Sequence, residues 1–217
     1  MAQLVVFDLD GTITRRDTLL PYAWGFVVRS KLWRLPLLLG VFPSVVGYLL
    51  RKNDEGRIKA AFIRCALGGS RRSEIDRWTA QFVPRLLRAG VFNDAMERIA
   101  EHRGAGDYLV LMSASTDLYV PVIARQLGFA ETICTEVRWN GDRLDGALTT
   151  PNRKGEEKAR CFTRLREKYS GTSTTAYGNS SADLPHLRLA THGVLVNGST
   201  RARRRAAELG ITCVDWS

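Results

Sequence analysis

Two carboxylates, Asp8 and Asp10, stand two residues apart where the apolar run Leu4-Val5-Val6-Phe7 gives out. On a strand, residues i and i+2 point to the same side. Two acids on one side repel, and stability alone gives no reason to place them together. A divalent cation removes the repulsion. Gly11 and Thr12 follow, forming a turn whose backbone N–H groups can hold an anion. One strand end thus offers a cation site beside an anion site.

Two further apolar runs end in a similar way. Tyr108–Met112 leads into Ser113-Ala114-Ser115, and Thr174–Tyr177 into Gly178-Asn179-Ser180-Ser181-Ala182-Asp183. If these runs are neighbouring strands, Asp8, Asp10, Ser113, Asn179 and Asp183 converge on one crevice. Open α/β sheets bind ligands there, at the carboxyl ends of their strands. Ser113 and Asn179 equally suit a plainer role as helix caps, and the two roles are compatible. Lys154 and Lys158 are four apart and would share a helix face. Either could point a cation at a phosphoryl oxygen, and either alone also suits a solvated surface.

The elements that must position these residues follow from the hydropathy pattern. Short apolar runs at 4–7, 108–112, 174–177, 194–196 and 211–214 suit strands buried on both faces. Amphipathic stretches near 92–103, 117–127, 155–169 and 199–209 lie between them. The alternation predicts an α/β fold, a parallel sheet wrapped by helices. Asn140-Gly141, within 137–144, predicts a small hairpin whose turn takes positive φ. The interval from 15 to 90 has no clear strand and reads as an all-helical insert of three or four helices. Within it, Leu35 to Leu50 is strongly apolar and uncharged, with Arg29, Lys31 and Arg34 before it and Arg51 and Lys52 after. This run falls short of the ~20 residues of a bilayer span. Three readings stay open: a buried helix of the insert, a surface that dips into a membrane interface or holds an acyl chain, or a transmembrane helix. Trp24, Trp33 and Tyr48 fit the core of the insert or a lipid interface.

With 217 residues the chain is one domain, or one plus a modest insert. An apolar share of 45% and a charged share of 25% exclude a disordered tail, a collagen-like repeat and a disulfide miniprotein. The net charge of +10 favours an anionic partner without choosing among phosphate esters, nucleic acid and acidic membrane. The basic cluster Arg201–Arg205 has no nucleic-acid motif with it and reads as a solvated helix face, so nucleic acid is not expected. Cys65, Cys134, Cys161 and Cys213 form no CxxC pair, and His102, His186 and His192 form no ligand set. Reduced thiols and a start without a secretory signal point to a cytoplasmic protein.

Taken in order, the motifs resemble the haloacid dehalogenase superfamily of phosphotransferases. They are Asp8-Leu9-Asp10-Gly11-Thr12, Ser113 in Met112-Ser113-Ala114-Ser115, the lysines at 154–158, and Gly178-Asn179-Ser180-Ser181-Ala182-Asp183. The helical insert and the hairpin resemble the phosphoserine-phosphatase-like branch. Within it, Thr14-Arg15-Arg16-Asp17-Thr18, the apolar stretch at 35–50, Ser113–Tyr119 and Ala176–Ser180 resemble a bacterial group that includes a phosphatidylglycerophosphate phosphatase. The resemblance implies a Rossmann-like doubly wound core over residues 1–14 and 91–217, with a helical cap over 15–90.

It also implies the chemistry. Asp8 attacks phosphorus to form an aspartyl-phosphate, and Asp10 acts as acid and then as base. Mg²⁺ is held by Asp8, the Asp10 backbone carbonyl and the acidic motif with Asn179 and Asp183. Ser113 and one lysine bind phosphoryl oxygens, and Gly11, Thr12, Ala114 and Asp17 lie against the substrate. Aligning on Asn152-Arg153-Lys154-Gly155 selects Lys154, and aligning on Gly155-Glu156-Glu157-Lys158 selects Lys158. The family's usual metal-binding acid is Asn179 here, which removes one negative charge. The expected activity is Mg²⁺-dependent hydrolysis of a lipid phosphate or a small phosphorylated metabolite, with the cap touching an anionic membrane at its inner face. The alternatives are a phosphoserine-phosphatase-like enzyme on a soluble substrate and a non-catalytic phosphate-binding protein.

Overall fold

The computed structural model describes residues 2–51 and 54–217. The expected runs form β1 (Leu4–Phe7), β2 (Tyr108–Thr116), β6 (Thr174–Gly178), β7 (His192–Val196) and β8 (Thr212–Val214). They join β3 (Glu131–Thr135) in one sheet of order β3-β2-β1-β6-β7-β8, with every neighbouring pair parallel. β3 was not expected from the sequence. Its residues, Glu-Thr-Ile-Cys-Thr, contain no apolar run, because an edge strand pairs on one side only and is partly covered.

β1 shows how the layers are built. Its four residues are fully buried and alternate between two cores. Val5 and Phe7 pack with α5 (Asn93–Gly104) and α6 (Val120–Leu127). Leu4 and Val6 pack with α7 (Glu156–Lys168), α8 (Leu184–Leu187) and α9 (Thr200–Glu208). Helices therefore cover both faces, as a doubly wound sheet requires.

Between β1 and α5 the chain is helical: α1 (Leu19–Ser30), a 3-10 helix (Leu32–Val41), α2 (Phe42–Leu49), α3 (Glu55–Leu67) and α4 (Arg72–Ala89). α1 and α4 are joined through buried aromatics. The Trp78 indole donates to the Tyr22 carbonyl at 3.0 Å, and the Tyr22 and Thr79 hydroxyls are 2.7 Å apart. Thr79 in turn donates to the Leu118 carbonyl at 3.0 Å, fastening the insert to the sheet domain.

The hairpin β4 (Val137–Asn140) and β5 (Arg143–Leu148) lies against α3. Gly146, with φ +88°, allows this approach, since a Cβ there would sit 2.9 Å from the Arg64 backbone. The turn differs from expectation. Its central residues are Gly141 and Asp142, and positive φ falls on Gly141 while Asn140 ends the strand.

The reading of Leu35–Leu50 as a buried helix is overturned. The run is split between the 3-10 helix and α2, and α2 has no buried residue. Of the window Leu32–Leu49, with a mean hydropathy of 1.5, only 6% is buried. The buried member is Arg34, whose guanidinium donates to the Gly68 carbonyl at the end of α3. Trp24, Trp33 and Tyr48 are likewise exposed, and the insert's core is made by Tyr22, Phe26 and Trp78 instead. Lys52, expected to flank the run, lies outside the described residues.

Candidate active site

β2, β1 and β6 are adjacent, so their carboxyl ends share one crevice. The Asp8 N–H still donates to the Tyr177 carbonyl at 3.0 Å, one residue past β1, and this places its carboxylate at the sheet's edge. The chain then turns sharply, with the amides of Ile13 and Thr14 both donating to the Leu9 carbonyl. Gly11 takes φ +81° in this turn, and a Cβ there would meet Asn179 Nδ2 at 2.0 Å. The turn and the loop after β6 can pack together because residue 11 is glycine.

Lys158, on the first turns of α7, is buried and joins two carboxylates. Its Nζ donates to Asp8 Oδ1 at 2.6 Å and to Asp183 Oδ1 at 2.8 Å. The other Asp8 oxygen accepts from the Thr12 hydroxyl at 2.9 Å. Thr12 is fully buried, so its hydroxyl orients Asp8. Asp183 begins α8 and accepts from the Ser180 amide at 3.0 Å and the Ser180 hydroxyl at 2.7 Å. Asp10 Oδ1 accepts from the Thr18 amide at 2.8 Å and Oδ2 from the Ser115 hydroxyl at 2.7 Å.

Burial sets the protonation pattern. It raises Asp8 to about 7, against the opposing pull of Lys158. It also raises Asp10, with the Ser115 and Thr18 hydrogen bonds opposing. Burial works against the Lys158 ammonium too, but Asp183 and Asp8 outweigh it and keep it charged. Asp183 is held well below the usual carboxylate range, because the Lys158 charge and hydrogen bonds overcome its burial.

The cavity above these groups has a volume of about 300 Å³. Asp8, Asp10, Asp17, Ala114, Ser115, Lys158, Asn179 and Asp183 line it. Ser113 is fully buried in β2, with its hydroxyl 3.3 Å from Asp10 Oδ2. Asp17 Oδ1 also accepts from the amides of Leu19 and Leu20 at 3.0 and 3.2 Å, which caps α1. The two lysines separate clearly. Lys154 stands at the rim, half-exposed, and donates to Glu55 Oε2 of α3 at 2.6 Å.

Sequence reasoning missed several groups that the fold adds. Ser115 follows Ser113 by two on the same strand, so the alternation rule could have found it. Lys59 reaches over from α3 to donate to the Ala114 carbonyl at 2.7 Å and to Asn152 Oδ1. Its burial lowers it to about 8, with Asp10 opposing. No spacing signal links Lys59 to the catalytic motifs.

Five carboxylates (Asp8, Asp10, Asp17, Glu55 and Asp183) and three lysines (Lys59, Lys154 and Lys158) line the cavity. With all of them ionised, their formal charge of −2 opposes entry of a phosphate. A divalent cation would cancel it. Among the described residues no three His, Cys, Asp or Glu side chains form a ligand cluster. The oxygen-bearing side chains of Asp8, Asp10, Asn179 and Asp183 that line the cavity nonetheless suit a hard cation such as Mg²⁺.

Comparison with known proteins gives the family. The family profile of haloacid dehalogenase-like hydrolases matches residues 5–188. Protein CicA of Caulobacter vibrioides is 32% identical over 201 residues, covering 86% of this chain and 82% of that protein. Phosphoserine phosphatase SerB1 of Mycobacterium tuberculosis is 26% identical over 212 residues, covering 94% of this chain and 68% of that protein. A substrate-bound phosphoserine phosphatase structure superposes with a TM-score of 0.69 at 16% identity, covering 99% of this chain and 93% of the other. The likeness to that structure concerns the fold. The family match and the phosphatase relatives give the family: this chain belongs to the haloacid dehalogenase-like hydrolases and is a phosphatase of that family.

Proposed function

We propose that this chain hydrolyses phosphomonoesters through an aspartyl-phosphate on Asp8, with residues 15–90 as a cap over a core of 1–14 and 91–217. The observation that carries the reading is the meeting of Asp8 and Asp10 with Lys158 around one small polar cavity. The Asp8 carboxylate attacks phosphorus as the bond to the ester oxygen breaks. Asp10, held protonated more readily by its burial, gives its proton to the leaving oxygen. The hydroxyls of Ser115 and Ser113 can turn to accept from it in that state. Asp10 then takes a proton from water, which attacks the aspartyl-phosphate and frees phosphate and Asp8. Acid–base work of this kind is worth roughly 10²–10⁴-fold. Lys158 stays charged beside Asp8 and meets phosphoryl oxygens as they gain charge, with Ser113 as the neighbouring hydroxyl.

Asp8, the Asp10 backbone carbonyl, Asn179 and Asp183 would hold Mg²⁺. When bound it polarises the phosphoryl group and cancels the cavity's surplus negative charge. Asn179 in place of an acid lowers the affinity for the metal.

The cavity has room for a phosphoryl group and a small polar head, and its charged walls do not suit an acyl chain. A phosphorylated lipid head group fits if its chains stay outside. The lipid reading places a cytoplasmic enzyme at the inner face of an anionic membrane, touching it through the cap. A soluble phosphorylated metabolite is the second reading, favoured by the same polar walls. The test is Mg²⁺-dependent phosphate release over soluble and lipid phosphomonoesters, with Asp8→Asn as the control. Release that vanishes in the folded variant is expected, and undiminished release would overturn the role of Asp8.

A further inference from the structure

We propose that the outer face of the helical insert docks on an anionic lipid bilayer and brings the mouth of the catalytic cavity to the lipid surface. The proposal deepens the membrane reading above. The docking itself rests on the surface alone and stands apart from the catalytic assignment.

The first observation is exposure. On α1, Leu20, Trp24 and Val28 recur every four residues and all face solvent. Exposed apolar side chains recur further along the chain in the 3-10 helix and α2, where Leu39 is 78%, Phe42 68% and Leu49 73% exposed. Clustering of large exposed apolar side chains in one segment is the usual mark of an interaction surface.

The second observation is charge. The chain carries 22 acids, yet none falls in the 36 residues from Thr18 to Asn53. Arg29 and Arg51 are exposed at the two ends of the apolar stretch. An apolar segment with no acid of its own, with the neighbouring Glu74 paired to Lys31 and with exposed cations at its ends, matches an anionic bilayer, which takes both the side chains and the charges. A second copy of this chain is a poorer fit. A two-fold interface sets the same patch against itself, so its cations would find no acids opposite them within that stretch. The exposed rings of Trp24, Trp33 and Tyr48 suit the headgroup level of a bilayer.

The third observation is how the stretch is held. Arg34 is bonded to the Gly68 carbonyl and Lys31 pairs with Glu74 of α4 at 2.8 Å. These contacts tie the stretch to the rest of the insert, as suits a segment that lies along a surface. Its start adjoins the site, because Asp17 and Leu19 line the catalytic cavity and Leu20 opens the exposed stripe. Docked this way, the mouth lies beside the headgroups.

The experiment is co-sedimentation of the full chain with vesicles of phosphatidylcholine alone and of phosphatidylcholine mixed with phosphatidylglycerol. The double variant Leu39→Ser/Leu49→Ser is run alongside, and Trp24→Ser separately in case the first misfolds. Phosphate release from a soluble aryl phosphate and sedimentation velocity are measured on every protein. Binding to the anionic vesicles is expected to weaken with added salt and to fall at least about tenfold in either variant, with soluble turnover unchanged. No binding to anionic vesicles would overturn the proposal. So would binding that ignores the substitutions, or a dimer that they dissociate. Vesicle binding without phosphate release from any of the soluble and lipid phosphomonoesters named above would sink the catalytic reading and leave the docking face intact.

Discussion

At the residue scale the lysine question turns on burial. Lys158 is enclosed with Asp8 and Asp183, whereas Lys154 makes an exposed pair with Glu55. Exposed pairs are worth about 0–1 kcal/mol, while taking one partner from a buried pair costs about 3–5 kcal/mol. Lys158→Met is therefore expected to lower kcat/KM by at least about 100-fold and to shift urea unfolding by about 3–5 kcal/mol. Lys154→Ala is expected to stay within about threefold in activity and ~1 kcal/mol in stability. Equal effects of the two substitutions would contradict the separation seen in the structure.

At the element scale the junction of β2 with the hairpin carries a titratable signal. Asp117, just past β2, accepts from the Val137 amide at 3.1 Å, and burial raises it to about 6. An acid raised on folding contributes stability below its unfolded value of 3.8, and that contribution is lost as pH rises to about 6. Asp117→Asn keeps an oxygen acceptor and cannot ionise. Its melting temperature relative to the wild type is expected to climb between about pH 4 and pH 6 and to level off above that. A gap that does not change with pH would mean that Asp117 ionises freely in the folded protein.

At the scale of the whole molecule the site is assembled from β1, β2, β6, α7 and α8, which are far apart in the chain. Anything that binds there stabilises the entire sheet domain. Mg²⁺ at about a hundred times its Kd is expected to add about 2.7 kcal/mol, a rise in Tm of roughly 5–10 °C. Asn179→Asp is expected to reach that rise at lower Mg²⁺, because it restores a negative charge beside Asp8. Calorimetry with and without Mg²⁺ checks both. If the two proteins respond at the same concentration, Asn179 is not a ligand.

The sequence by itself determined the sheet and the order of the catalytic motifs. A strand buried on both faces must be apolar along its length, as Leu4–Phe7 is, and polar residues at its end must serve the crevice. Those are local constraints, so they can be read locally. What depends on neighbours could not be read this way. β3 has no apolar run because it lies at the sheet's edge. Lys59 enters the site only because α3 folds over β2, and the two lysines near 154 are told apart only by which one α7 turns inward. The apolar stretch at 35–50 reads identically as core or as surface, because composition records how apolar a segment is and not what covers it. Tertiary packing decided that Arg34, just before that stretch, is buried and that the leucines of the stretch are not.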